Sequence, residues 1–419
     1  VSRNLPAGRT VSAIAFSAVA ALTLAGCGSS GAAASGPGAS SAASAMYTWI
    51  SNENDRSQWQ SFIDAAKKTD PGFNLTLEGP SFPDYWTKVK TREASPGAPC
   101  IITTQGARAQ ELKDLLAPLD DLAKKNNIDP SKYNQAMIQG MTVDGKLRAI
   151  PYDAAPFVLY YNKDLFQAAG LKYPTENYTR AQFISDAKAL TKNGVYGLSL
   201  PPQFVNGPAP ALAFADGHYP VKDGNLDITN PDFVKDVQFT FDLVNKEHVA
   251  QAPQASDVVD VSQQQFMSGQ AAMTFGGPWM YQTFTTKTKG TVGVAVIPST
   301  SGNPISMIQG SGFGIAASCQ DKEAAFANIM KITTADVIGA VGAGHGNVPT
   351  LQAAMKAWAG TKPAADVSTI ETLLKNGKPL QTTKNWNQVE TLFTQYSVEG
   401  FRGTKSAETI LNSVANSAK

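Results

Sequence analysis

The 419-residue chain is close to electroneutral, with 35 basic and 34 acidic side chains, 42% apolar residues and only 16% charged. That balance leaves no electrostatic footprint for nucleic acid, and a low charge with many Asn, Gln, Ser and Thr suits a neutral, polar ligand. About 370 residues are available for folded structure, a length that points to two domains.

At the N-terminus, Arg3 and Arg9 precede an uncharged stretch, 11–24, which ends in Leu24-Ala25-Gly26-Cys27. A basic lead, an apolar run and small residues before a cysteine read as a secretory signal ending in a bacterial lipobox. On this reading 1–26 is the signal and Cys27 is the lipidated first residue of the mature chain. Residues 28–45, almost wholly Gly, Ala, Ser and Pro, are then a flexible tether without fixed structure. Beyond Cys27 no uncharged apolar run reaches the roughly 18 residues of a membrane span. Two cysteines remain, Cys100 and Cys319, in a compartment that permits a disulfide.

Strands and amphipathic helices then alternate, an α/β pattern. Residues 47–50 read as a strand, with Asn54 or Asp55 capping a helix that carries Trp59, Phe62, Ile63 and Ala66 on one face. Segments 73–77 and 100–104 read as strands, and 111–122 as a helix interrupted by Pro118. Ile150-Pro151-Tyr152 leads to a strand at 157–161. Thr179 and Gln182 form a capping box for a helix bearing Phe183, Ala187 and Leu190. Asn230-Pro231 is a cap and first-turn pair for another helix. A short helix, 262–268, ends at Gly269. Strands follow at 272–275, 292–297 and 313–317, and the last hundred residues are mainly helical.

Catalytic and metal chemistry finds little purchase. The three histidines, His218, His248 and His345, form no metal-binding spacing, and no Gly-x-Ser-x-Gly elbow or phosphate-cradling Lys-Ser/Thr step is present. No cofactor, metal or catalytic residue is expected. A glycan hydrolase stays open as an alternative, because any two carboxylates can meet in space.

Several segments in order resemble the extracellular solute-binding proteins of sugar ABC importers, the maltodextrin-binding type. They are Tyr160-Tyr161-Asn162-Lys163-Asp164-Leu165-Phe166, Phe266-Met267-Ser268-Gly269-Gln270-Ala271-Ala272-Met273 and Gly276-Gly277-Pro278-Trp279. Val296-Ile297-Pro298, Gly310-Ser311-Gly312-Phe313-Gly314-Ile315 and Asn347-Val348-Pro349 continue the series. The resemblance implies a two-lobed periplasmic-binding-protein fold of type II, open sheets flanked by helices, with several hinge crossovers. It places lobe 1 at 46–153 plus 313–360, and lobe 2 at 154–312 plus 361–419. It implies a monomer that binds a di- or oligosaccharide in the cleft, closes, and docks on the transmembrane subunits of a permease, held nearby by its lipid on Cys27.

Sugars present hydroxyl edges and weakly apolar C–H faces, which amides, carboxylates, Arg and aromatic rings satisfy. The resemblance makes Trp279 the foremost stacking residue and Trp386 a second. Asn52, Glu53 and Asn54 leave the first strand where hydroxyl-binding groups are expected; Gln105 and Arg108 leave the third in the same way. Tyr152 and Asp153 lie at the first crossover, and Gly310 and Ser311 offer backbone N–H groups or a hydroxyl. Gln203, Phe204 and Asn206 are weaker candidates. Tyr161, Asn162 and Lys163 are read as structural. Within this fold the strand after Cys100 and the strand ending at Cys319 lie side by side, which implies a Cys100–Cys319 disulfide. Rival readings are a receptor for another solute, such as a polyamine or iron, or a cell-surface enzyme or adhesion protein.

Overall fold

The computed structural model describes residues 42–254 and 259–418. Two separate apolar cores are built around two sheets. The first sheet has five strands in the order Thr76–Glu78, Ala45–Tyr47, Ile101–Gln105, Ser311–Ile315, Ile150–Pro151. The first three are parallel, and Ser311–Ile315 enters antiparallel from far downstream, with Ser311 opposite Gln105 and Ile315 opposite Ile101. The second sheet orders Val292–Ala295, Val158–Asn162, Ala271–Gly276, Tyr196–Ser199. Between them a three-stranded ribbon, Lys378–Pro379, Met307–Gln309 and Ala155–Pro156, carries the chain from one lobe to the other. The chain is therefore the α/β, two-lobed type expected from its sequence.

Local chemistry explains several helix starts. The Thr179 side chain accepts from Gln182 N while the Gln182 side chain accepts from Thr179 N, completing the capping box of Arg180–Leu190. Asn230 accepts from Phe233 N at 2.9 Å, with Pro231 opening the helix Pro231–Asn245. Asn162 caps Lys163–Ala168 and also donates to the Lys289 carbonyl, a structural role, as its place in the strand-to-helix junction suggests.

Other expectations are corrected. The first helix, Glu53–Ala66, is capped by Asn52, whose Oδ1 accepts from Asp55 N, and not by Asn54 or Asp55. The tether ends earlier than 45: Ala45 opens the first strand, and Ala43 is buried in the first core. Small residues read as linker because composition does not register distant partners such as Asn328, which donates to the Ala43 carbonyl. Cys27 lies outside the described residues. The span 111–122 is two short helices, Ala109–Leu112 and Asp120–Lys125, on either side of Pro118. A helix, Phe82–Glu93, was not anticipated; Pro83 in its first turn and the buried Tyr85, Trp86 and Val89 are its signals.

Cys100 and Cys319 form a disulfide, 219 residues apart in sequence. The pairing follows from the antiparallel neighbours: Ala316 N donates to the Cys100 carbonyl at 2.8 Å, so the start of one strand meets the end of the other.

Candidate functional site

The first strand, Ala45–Tyr47, has Thr76–Glu78 on one side and Ile101–Gln105 on the other. Successive crossovers thus leave in opposite directions from the carboxyl ends of the first and third strands. Such a switch point leaves a crevice for ligand. Residues 49–55 and 105–108 leave the sheet there, and the second lobe faces them.

A cavity of about 1160 Å³ occupies this position, the size of a site for a small polar molecule of several rings. Asn52, Glu53, Asn54, Gln105, Arg108, Tyr152, Asp153, Trp279, Gly310 and Ser311 all line it. Gln203, Phe204 and Asn206 line it as well.

Trp386 does not. Its ring is fully buried, edge-on to Phe204 at 5.4 Å, within the second core. The helix Trp386–Phe401 presents Glu390 to the cavity instead, and Trp386 Nε1 donates to Glu390 Oε1 at 2.9 Å. Periodicity placed Trp386 on an amphipathic helix without saying which face meets the cleft.

Trp279 sits in the turn Pro278–Met280 that follows the strand Ala271–Gly276. Its ring lies flat against Gly277, where an added Cβ would stand 1.9 Å from Trp279 Cζ3. Absence of a side chain at 277 is therefore what lets the ring lie this way. The Tyr160 hydroxyl donates to the Gly277 carbonyl at 2.9 Å and fixes the loop. On the opposite wall, Trp49, Phe82 and Trp86 reach the cavity from a packed aromatic group in the first lobe. These three were not singled out in the sequence; Trp86 belongs to the unanticipated helix.

Arg108 is almost wholly buried. Its guanidinium stacks over Trp86 at 4.8 Å, donates to Glu111 at 3.1 Å, and meets Asn387 and Glu390 of the other lobe. Its donors are therefore largely engaged with protein. Burial pushes the Glu390 carboxyl up, with Arg108 and the Trp386 N–H pulling it partly back.

Asp153 lies at the first passage between the lobes, beside the return at Gly310–Ser311 and the loop carrying Asn347. Its Oδ1 accepts from Ser311 N at 2.6 Å and its Oδ2 from Asn347 Nδ2 at 2.9 Å. The Ser311 N–H is thus spent inside the protein, which corrects its expected availability to a ligand. Gly310 has φ +152, and a Cβ there would stand 2.5 Å from the Asp153 carbonyl oxygen, so close approach of two crossovers requires glycine. Asn52 Oδ1 is likewise engaged by its cap, while Glu53 and Asn54 remain exposed at the rim. Burial chiefly pushes the Asp55 carboxyl up, and the charge of Asp260 across the cleft adds to this.

Among the described residues no group of three or more His, Cys, Asp or Glu is placed to hold a metal ion. The walls offer rings, amides, carboxylates and hydroxyls, which bind and orient.

The overall structure is similar to sugar-binding proteins of known structure. It superposes on the ABC substrate-binding protein Lmo0181 from Listeria monocytogenes, in complex with cycloalternan, with a TM-score of 0.79 and 21% identity, covering 89% of this chain and 96% of that one. The GacH receptor of Streptomyces glaucescens, solved unliganded and with acarbose, gives 0.76 and 21% over 89% and 96%. Maltose-bound T. maritima MalE3 gives 0.75 and 18% over 89% and 97%. In sequence, residues 50–338 match the bacterial extracellular solute-binding protein family. That match takes in most of the cavity's first-lobe wall, Trp279 and the Gly310–Ser311 crossover, and with the two-lobed fold it establishes that the chain belongs to the bacterial extracellular solute-binding proteins, an exported binding family.

Proposed function

We propose that the protein captures a sugar, a di- or oligosaccharide, in the inter-lobe cavity and delivers it as a monomer to the permease of an ABC importer. The observation that carries this reading is the pairing of walls: Trp279 on one lobe and Trp49 and Phe82 on the other bracket a space edged with amides and carboxylates. Rings cover sugar faces while the polar rim takes hydroxyls. Gln105, Tyr152 and Asp153 from the first lobe and Trp279 from the second are the proposed contacts, and ligand touching both lobes favours closure. Sugars bound by similar proteins, among them maltose, maltotriose and mannobiose, support the class. Iron is disfavoured, since Tyr152 is the one tyrosine among the described lining residues.

The lobe boundaries proposed are those expected, 46–153 with 313–360 and 154–312 with 361–419, with two adjustments: the first lobe starts at 42, and Ser311–Gly312 belong to its sheet. Lipidation of Cys27 belongs to the same reading and keeps the receptor near its permease, raising the local concentration. Mass spectrometry of the mature N-terminus tests it: a diacylglycerol adduct on Cys27 is expected, and an unmodified Cys27 in membrane-purified protein overturns the anchor.

A thermal-shift panel of maltose, maltotriose, mannobiose, tagatose and spermidine tests the sugar reading. A sugar at 100 times its Kd adds about 2.7 kcal/mol of stability. A shift with spermidine and none with any sugar overturns it.

A further inference from the structure

Asp153 and Asn347 are unusual among the cavity groups. Both are buried, at 3% and 5% exposure, and both line the cavity. Asn347 donates its Nδ2 to Asp153 Oδ2, which fixes the amide with Oδ1 as an acceptor. Among the described residues no hydrogen bond reaches that Oδ1. A buried acceptor without a donor is costly, and a donor that reaches it from the cavity relieves it. Beside it, the Asp153 carboxylate has a backbone N–H and an amide as partners but no cation among the described residues. The two side chains thus form a double acceptor at the hinge.

We propose that Asp153 and Asn347 form a proton-linked acceptor pair that grips two neighbouring hydroxyl donors when Asp153 is ionised and loosens them when it is protonated. The proposal rests on the sugar reading above. Geometry supplies the coupling. Asp153 ties Ser311, on the strand returning to the first sheet, and Asn347, just after the helix Ala335–His345, so its protonation removes an acceptor from the ligand and from these two segments together. Burial pushes this carboxyl up to about 6, into a range where extracytoplasmic pH varies. When hydroxyls donate to the carboxylate, the ionised form is favoured and the proton held by Asp153 leaves for the buffer.

The titratable groups around the pair are few. Tyr152 precedes Asp153 and is pushed well up by burial, and by the charges of Asp153 and Asp55. Asp55, on the helix Glu53–Ala66, is also raised. His345 ends the helix before Asn347 and is lowered by burial. Glu390, on the facing lobe, is raised. Asp55, Glu390 and His345 are the competitors for proton linkage, so variants must separate them from Asp153.

Isothermal titration of the full chain with maltose, maltotriose, mannobiose and tagatose, at pH 6 in two buffers of different ionisation heat, counts the protons. Release of about half a proton per sugar bound is expected, with affinity falling about tenfold from pH 7.5 to pH 5. Asp153→Asn abolishes the release and flattens the profile, whereas Asp55→Asn, His345→Gln and Glu390→Gln retain it. Asn347→Ala weakens binding while keeping the proton count. Heats independent of buffer in the wild type overturn the pair, and that measurement needs no variant to fold. Release that survives Asp153→Asn overturns it too. Binding without proton release leaves the sugar reading standing and removes only this inference; a panel in which no sugar binds removes both.

Discussion

Arg108 and Glu390 join the two lobes directly, 282 residues apart in sequence, through an ion pair with the Arg108 guanidinium stacked on Trp86. Each partner is held on its own side: Arg108 by Glu111, and Glu390 by the Trp386 N–H. Opening the cleft separates the pair without unmaking either support. The contact is therefore expected to act as a latch whose strength sets how often the lobes close without ligand.

Glu390→Gln keeps the shape and removes the charge. The expected outcome is a more open population, read as a larger radius of gyration in small-angle scattering of sugar-free protein. Because both ends hydrate on opening, the melting midpoint falls by no more than about 1.5 °C, the size of roughly 1 kcal/mol in a protein of this length. An unchanged radius would show that the latch does not govern closure.

Trp279→Ala removes the ring from the second-lobe wall, and sugar affinity is expected to fall at least about tenfold, the worth of one aromatic contact. Gly277→Ala gives an independent check. Its added methyl overlaps the present ring position, so Trp279 must turn away and affinity falls while the ring is retained. Intact binding in both variants would take Trp279 out of the site.

Replacing Cys100 and Cys319 together by Ser opens a very long loop. A loss of roughly 2–5 kcal/mol is expected in chemical denaturation, most of it from the freer unfolded chain. A midpoint equal to that of the wild type would mean that the crossovers already hold the strands together.

Asp153 also makes stability depend on pH in the absence of sugar. Its folded-state carboxyl is raised to about 6, so the stability contributed by the protonated form is complete below the ordinary carboxylate range. It is lost as pH rises through about 6, because burying the charge is then unavoidable. Relative to Asp153→Asn, the wild type should be more stable at pH 5 than at pH 7.5, by about 1.4 kcal/mol, one pH unit of linkage. A gap that is constant with pH counts against a buried, titrating Asp153.

Much of the fold was legible because its signals are local. Thr179 with Gln182 and Asn230 with Pro231 state their helix starts within four residues. Motif order also located the switch-point loops and the Trp279 turn. What stayed hidden depends on distant partners. Arg108 looked like a free ligand contact because nothing near it in sequence reveals Asn387 or Glu390. Ser311 looked like a donor until Asp153 was seen to occupy its N–H. Trp386 failed for a related reason: a buried tryptophan and a cleft tryptophan have the same helical spacing, and only Phe204 and Phe393, packed around that core, decide between them.

The Cys100–Cys319 bond has a further consequence. Residues 101–318 run out from the first sheet, build the second sheet and return, so the bond closes a covalent ring around that whole excursion. A protease that nicks any single loop within the ring, such as the turn at Gly217, leaves the two fragments joined. The clipped receptor would migrate as one species until reductant is added, and would keep its lobes facing one another in the meantime.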